Sequence, residues 1–298
     1  MNILITGGSG FIGTHTVQIG RSIGYEITNV DISDNSDISE NIVNIDWSEL
    51  DLQNYDAVIH LAALVSVPES FEDPSRYHEV NVEATRRLFM SCVESGIKKV
   101  IFSSSAAVYS TLEDPDNFTS SPYSNSKILG ERHARSIASS STKFTIFRFF
   151  NVYGPGQEYN SRYSSVIPIF VKKIVSGQPI TIFGDGQQTR DFIHVSDVAK
   201  TLISSLEEGH DDNFQLFDLG SGVKTSVNEL LSLVISSAKE KGVEINSEII
   251  HETQRKGDIR HSVADTNNFS SICKPRLFTS LKTGIDGLID EEIKRSIQ

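Results

Sequence analysis

Short, nearly continuous apolar runs alternate along this chain with stretches whose apolar residues fall at helical spacing. Asn2-Ile3-Leu4-Ile5-Thr6 is the first run, and Ile12, Val17, Ile19 and Ile23 then mark one face of a helix. Glu26 to Val30 comes next, and Ile42 to Asp46, Asp56 to Ala62, Lys99 to Ser103 and Phe144 to Phe149 read as further strands. Runs without polar alternation belong in a parallel sheet covered on both faces. Val80 to Val93, carrying Val80, Leu88, Phe89, Cys92 and Val93, reads as a helix, as does Ser124 to Ser136 after Pro122. The alternation predicts an α/β fold with a doubly wound parallel sheet, whose ligand crevice opens at the C-terminal ends of the strands.

Past about residue 155 the pattern loosens. Helices are expected at Ser164 to Val175, Ser196 to Leu206, Val227 to Ala238 and Leu281 to Ile297, with strands at Ile180 to Phe183 and Phe214 to Leu219. We read residues 1–155 as a dinucleotide-binding domain, to which segments near 190–220 return. Residues 156–298 then form mainly a smaller α/β substrate-binding lobe that closes over the cofactor.

Charge narrows the partners. With 27 Lys+Arg against 39 Asp+Glu, a formal net charge of -12, nucleic acid is not an expected partner. Ala57 to Val67 is broken by His60 and Ser66 and falls short of the ~18 residues of a membrane span, so no membrane partner is expected either. The first run already reads as strand, so no signal segment is expected ahead of it. Cys92 and Cys273 are far apart and lack metal-ligand spacing, which suits a reducing cytoplasm. His60 and His194 have no second ligand at metal spacing, so no metal site is expected.

Gly7-Gly8-Ser9-Gly10-Phe11-Ile12-Gly13 joins the first strand to the first helix. Gly7, Gly10 and Gly13 leave no side chain where the backbone turns, approaches a pyrophosphate and packs helix on strand, while the helix N-terminus offers N–H groups and a positive dipole. Asp31 ends the second run, where a ribose-binding carboxylate is expected. A carboxylate there repels a 2′-phosphate, and no Lys or Arg lies between Arg21 and Arg76 to offset it, so NAD is expected over NADP. Tyr123 and Lys127 stand at i, i+4, where an ammonium can stabilise a phenolate. The serine cluster from Ser103 to Ser105 ends a predicted strand and can hydrogen-bond a reacting substrate oxygen.

A longer series of segments carries a family likeness: Thr6 to Gly13, His60-Leu61-Ala62-Ala63, Asn81-Val82, the serine cluster, Tyr123-x-x-x-Lys127, Asn151-Val152-Tyr153-Gly154-Pro155, Phe183-Gly184-Asp185-Gly186, Arg190-Asp191-Phe192 and Gly257-Asp258. In these the chain resembles the extended short-chain dehydrogenase/reductase family with its Rossmann domain, and within it the NAD-dependent nucleotide-sugar 4-epimerases. The resemblance implies a triad of Ser105, Tyr123 and Lys127. It implies Phe11 and Ile12 beside the glycines, Asp46 and Trp47 near the adenine, and Leu61, Ala62, Ala63, Asn81 and Ser103 along the NAD. Phe150 falls beside the nicotinamide. Asn151, Val166, Arg190, Arg255 and Asp258 match positions that hold the nucleoside diphosphate of a UDP-sugar, and relatives commonly form homodimers.

Departures from the family pattern also speak. Gly156 stands where relatives often carry Arg. Dehydratases of the family place an Asp-Glu pair after the catalytic hydroxyl and decarboxylases a Glu, whereas Ala106 and Ala107 do no acid–base work. Ser262 matches a pocket-wall position that is a bulky tyrosine in enzymes restricted to glucose and galactose, and a serine leaves room for an acetamido group. The expected activity is C4 epimerisation of a UDP-hexose through a transient 4-keto sugar, including the UDP-GlcNAc/UDP-GalNAc pair beside UDP-Glc/UDP-Gal. The alternatives are another NAD-dependent sugar-modifying oxidoreductase of the family and a non-catalytic NAD-sensing regulator.

Overall fold

The computed structural model describes residues 1–112, 121–157, 165–207, 212–254, 259–267 and 278–297. The chain divides into two compact units, Met1–Phe149 with Val198–Asp218 and Asn267–Lys274, and Phe150–Asp197 with Leu219–Thr266 and Pro275–Gln298.

In the first unit the doubly wound sheet expected from the run pattern is present. Its strands are β1 (Asn2–Thr6), β2 (Glu26–Asp31), β3 (Ile38–Ser39), β4 (Ala57–His60), β5 (Lys99–Ser105) and β6 (Lys143–Phe149), beside which lies β10 (Phe214–Leu219). Among the described residues the order is β10-β6-β5-β4-β1-β2-β3, and the six strands from β6 to β3 run parallel. The order reverses between β1 and β4, the position where such sheets open a ligand crevice. Ile3, Leu4 and Ile5 of β1 and Val58 and Ile59 of β4 are fully buried, which is why these runs lack polar alternation.

The helices of this unit are α1 (Phe11–Ser22), α2 (Val67–Glu72), α3 (Pro74–His78), α4 (Thr85–Glu94), α5 (Tyr109–Leu112) and α6 (Pro122–Ile137). A π-helical turn, Glu79–Ala84, joins α3 to α4. Leu88, Phe89 and Cys92 of α4 pack with Phe102 and Phe144 of the sheet and Ala134 of α6. One strand expectation fails. Ile42 to Asp46 is not a strand but a chain of turns: Asn41 Oδ1 accepts from Val43 N at 3.0 Å, and Asp46 Oδ1 from Ser48 N at 3.0 Å. Side chains that bond their own backbone two residues on favour turns over a ladder, while Ile42 and Trp47 still turn inward to the core.

The second unit holds β7 (Asn151–Tyr153), α7 (Val166–Val175), β8 (Ile180–Phe183), β9 (Thr189–His194), the start of α8 (Val195–Ser205), β11 (Lys224–Ser226), α9 (Val227–Glu240), β12 (Ile249–Glu252) and α10 (Leu281–Ile297). Here β9 lies between β7, parallel, and β11, antiparallel, and β12 pairs parallel with β8. Its core gathers Ile167, Phe170 and Ile174 of α7, Leu230 and Val234 of α9 and Ile285 and Ile289 of α10. Among the described residues no helix is long and apolar enough to cross a membrane.

A dinucleotide cleft and a buried tyrosine–lysine pair

The turn after β1 is built around glycines because nothing larger fits. Gly7 has φ +74°, and a Cβ on it would lie 2.6 Å from Ala62 N. A Cβ on Gly13 would lie 2.0 Å from Gly7 O, so α1 packs onto the turn backbone to backbone. Gly10 is the N-cap of α1 and supplies no capping side chain, and a Cβ there would meet only Gly7 O, at 3.3 Å. Phe11 and Ile12 come next on the first turn of α1, whose N–H groups have no intrahelical acceptor. This is a bare, dipolar helix start suited to a phosphate.

Beside it lies a cleft of about 330 Å3, lined by Gly7, Ser9, Gly10, Asp31, Leu61, Ala62 and Ala63, with Ile32, Ser33, Glu40, Asn41, Ile42, Leu64, Arg76 and Val80. The Asp31 carboxylate is held in place by the backbone: Oδ2 accepts from Ser9 N at 3.0 Å and Oδ1 from Ser33 N at 3.2 Å. Small apolar side chains, a bare helix start and a carboxylate at the second strand end fit the phosphates and ribose of a dinucleotide. Arg76 is far from Asp31 in sequence, yet the fold brings both to this cleft.

Asp46 and Trp47 are placed elsewhere. Trp47 is only 3% exposed and belongs to the core, and Asp46 binds Ser48. Asn41 and Ile42 line the cleft instead, on the segment leaving the two-residue edge strand β3. The sequence signal for them is the end of that strand, which a two-residue element barely registers. Asn81 is buried, and it exchanges bonds with Leu64, accepting from Leu64 N at 2.9 Å and donating to Leu64 O at 2.8 Å. Its Nδ2 also donates to Ser126 Oγ at 3.1 Å, so it ties the wall Leu61–Leu64 to α6.

On α6 the chain places Tyr123 and Lys127. Ser121 is the N-cap, accepting from Ser124 N at 3.0 Å, and Pro122 opens the helix, which puts Tyr123 in its first turn. The Ser105 side chain, at the end of β5, is near enough to the Tyr123 phenol to favour its ionised form, and its Oγ accepts from Ala107 N at 3.1 Å. Lys127 Nζ donates to Ser103 O at 2.8 Å and lies 6.0 Å from the Tyr123 ring centre. Ser103 Oγ turns to β4 and donates to His60 O at 3.0 Å. Ser105, Tyr123 and Lys127 are thus brought together, with the Ser103 carbonyl holding the lysine.

Burial sets the resting electrostatics of this group. It pushes the Tyr123 phenol up to about 12, against the nearby Ser105 side chain, and the Lys127 ammonium down to about 7, against the pull of Glu131. A phenol in this state loses its proton only when more positive charge arrives nearby. His60 stays out of the chemistry: burial drives it down to about 3, and its ring nitrogens bond Thr6 Oγ1 at 2.6 Å and Thr85 Oγ1 at 2.8 Å. Among the described residues no three His, Cys, Asp or Glu side chains gather as metal ligands.

In the second unit Phe150 is buried and its N–H donates to Leu219 O at 3.0 Å. Asn151 Nδ2 donates to Asp191 O at 3.0 Å, which fixes β7 to β9, and Arg190 Nη1 donates to Thr189 O at 2.8 Å. Val166 opens α7. Ser262 is half-buried, its N–H bonded to Thr189 O at 3.2 Å. Asp191 is a hub that spacing alone does not reveal, accepting from Ser221 N, Gly222 N and Ala264 N. Arg255 and Asp258 lie outside the described residues.

Comparison with known proteins bears on this arrangement. Residues 3–220 match the model of the NAD dependent epimerase/dehydratase family. A putative UDP-glucose 4-epimerase of Methanocaldococcus jannaschii is 32% identical, with 97% of each chain covered. Among solved structures, UDP-N-acetylglucosamine 4-epimerase from Methanobrevibacter ruminantium M1, in complex with UDP-N-acetylmuramic acid, superposes with a TM-score of 0.87 at 32% identity, covering 100% of this chain and 99% of the other. MoeE5 in complex with UDP-glucose and NAD gives 0.85 at 32% identity, with 100% of both chains covered. The glycine turn, the carboxylate at the end of β2 and these matches together make the chain a member of the NAD dependent epimerase/dehydratase family, with NAD as its cofactor.

Proposed function

We propose that the protein inverts C4 of a UDP-hexose, with Ser105, Tyr123 and Lys127 as its catalytic residues. The observation that carries this reading is the buried set itself: a phenol with a serine side chain near it, and an ammonium one helical turn on, held by the Ser103 carbonyl in the unit that carries the cleft. When bound, NAD would supply a reversible hydride acceptor and donor for C4. Tyr123 takes the proton of the C4 hydroxyl and later gives it back, Ser105 holds the reacting oxygen, and Lys127 stabilises the phenolate. Asp31 would take the adenosine ribose, and Gly7, Gly10 and Gly13 the pyrophosphate.

Within the family, epimerisation is favoured over water or carbon dioxide loss by the two residues after the serine. Ala106 and Ala107 form a short turn next to Ser105 and offer no acid or base to a neighbouring carbon. Asn151, Val166, Arg190, Arg255 and Asp258 would grip the nucleoside diphosphate, Phe150 would stack near the nicotinamide, and Ser262 would leave space for a C2 acetamido group. The substrates are accordingly the UDP-GlcNAc/UDP-GalNAc pair together with UDP-Glc/UDP-Gal, and the working form a cytoplasmic homodimer. Incubation with a trace of NAD and each UDP-sugar separately, followed by product analysis, tests this: C4 epimers without net NADH support it, and stoichiometric NADH contradicts it.

A further inference from the structure

Helix α6 carries a third polar residue at the same spacing, Glu131, four positions beyond Lys127. Its buried carboxylate is gripped by Arg148 of β6, Nε to Oε1 at 2.9 Å and Nη2 to Oε2 at 2.7 Å, and receives a further bond from Ser104 Oγ. Arg148 also lies over the Tyr109 ring, 4.9 Å from its centre, and the Tyr109 hydroxyl donates to Asp218 Oδ1 at 2.7 Å. Three consecutive serines of β5 therefore serve one assembly: Ser103 takes Lys127 on its carbonyl, Ser104 holds Glu131, and Ser105 meets Tyr123. Buried ion pairs add little stability over apolar replacements, so stability alone does not account for this one.

We propose that Glu131 is a positioning residue: fixed by Arg148 and Ser104 one turn beyond Lys127, its carboxylate keeps the lysine charged beside Tyr123. This rests on Tyr123 being the base of the proposed reaction. The other groups around the pair are accounted for. His60 on β4 is neutral, Tyr77 on α3 and Tyr109 on α5 are phenols raised by burial, Asp218 on β10 is held by Tyr109, and Arg148 is spent on Glu131. Burial favours loss of the Lys127 proton and Glu131 opposes it. Without the carboxylate the lysine deprotonates at lower pH, the phenolate loses its cation, and Tyr123 ionises at higher pH.

The test reads tyrosinate ultraviolet absorbance during pH titration of the NAD-saturated protein without sugar, with Tyr123→Phe subtracted, beside the kcat profile. Glu131→Gln is expected to raise the Tyr123 ionisation and the acid limb of kcat by about one pH unit, while Glu131→Asp, which keeps the charge, stays within about 0.3 unit. Should Glu131→Gln fail to fold, the double variant Glu131→Gln/Arg148→Met removes both charges at once and is expected to shift upward by less, because the guanidinium opposes the carboxylate at Lys127. An unmoved ionisation in a folded variant lacking the carboxylate, or an equal shift in Glu131→Asp, overturns the proposal. If the wild-type protein shows no Tyr123 ionisation in the neutral range, the base assignment fails and the role of Glu131 falls with it. A wild-type ionisation that Glu131→Gln leaves in place removes this inference alone.

Discussion

Lys127 Nζ donates to the carbonyl oxygen of Ser103 at 2.8 Å, which fixes the ammonium at the end of β5, 6.0 Å from the Tyr123 ring centre. The bond aims a buried cation whose proton is already loosened by burial, down to about 7. Lys127→Ala should lower kcat at neutral pH by about a hundredfold or more, because the phenolate loses its partner. Without the cation Tyr123 ionises at higher pH, so the activity optimum moves upward. An unchanged kcat profile would count against the lysine's role.

Tyr123→Phe removes one hydroxyl from a residue of α6 that does not line the cleft beside the glycine turn, where we propose the pyrophosphate binds. Turnover should fall by about a thousandfold or more, with NAD affinity within about threefold of wild type by calorimetry. Turnover within about threefold of wild type would sink the base assignment.

Asp31 and Arg76 act in opposite senses on a 2′-phosphate, and both line the cleft. The carboxylate is pinned at the end of β2 by Ser9 N and Ser33 N; with the ribose proposed to sit there, NAD should bind at least about tenfold more tightly than NADP. Asp31→Asn should narrow that ratio and Arg76→Ala should widen it. Equal wild-type affinities in calorimetry would show that Arg76 offsets the carboxylate.

A bond of 3.2 Å from Ser262 N to Thr189 O fixes the main chain at this half-buried position. Ser262→Tyr should suppress conversion of UDP-GlcNAc and UDP-GalNAc by about tenfold more than that of UDP-Glc and UDP-Gal, since packed walls do not absorb several extra heavy atoms. Equal losses for both pairs would show that this position does not read the C2 substituent.

Much of the first unit is legible in the sequence because burial on both faces leaves an unmistakable record. The β1 run, the glycine turn and Asp31 succeed each other along the chain and remain neighbours in space. Where local side-chain bonds compete, apolar content misleads: Ile42 to Asp46 reads as strand, but Asn41 and Asp46 bend it, and the cleft wall moves from Asp46 and Trp47 to Asn41 and Ile42. In the second unit β7, β11 and β12 are three or four residues long, and β12 is exposed throughout, so no period is visible. The ion pair of Glu131 with Arg148, and the meeting of Asp31 and Arg76 in one cleft, join residues distant in sequence, which no spacing rule connects.

A hydride that leaves C4 and returns to it within one site is tested most directly with UDP-glucose and UDP-GlcNAc carrying deuterium at C4, each incubated with the protein and a trace of NAD. The expected product is the C4-inverted sugar with deuterium retained at C4 and no accumulation of reduced cofactor. Loss of the label to solvent, release of water from the sugar, or one NADH for each sugar consumed would contradict the epimerase mechanism.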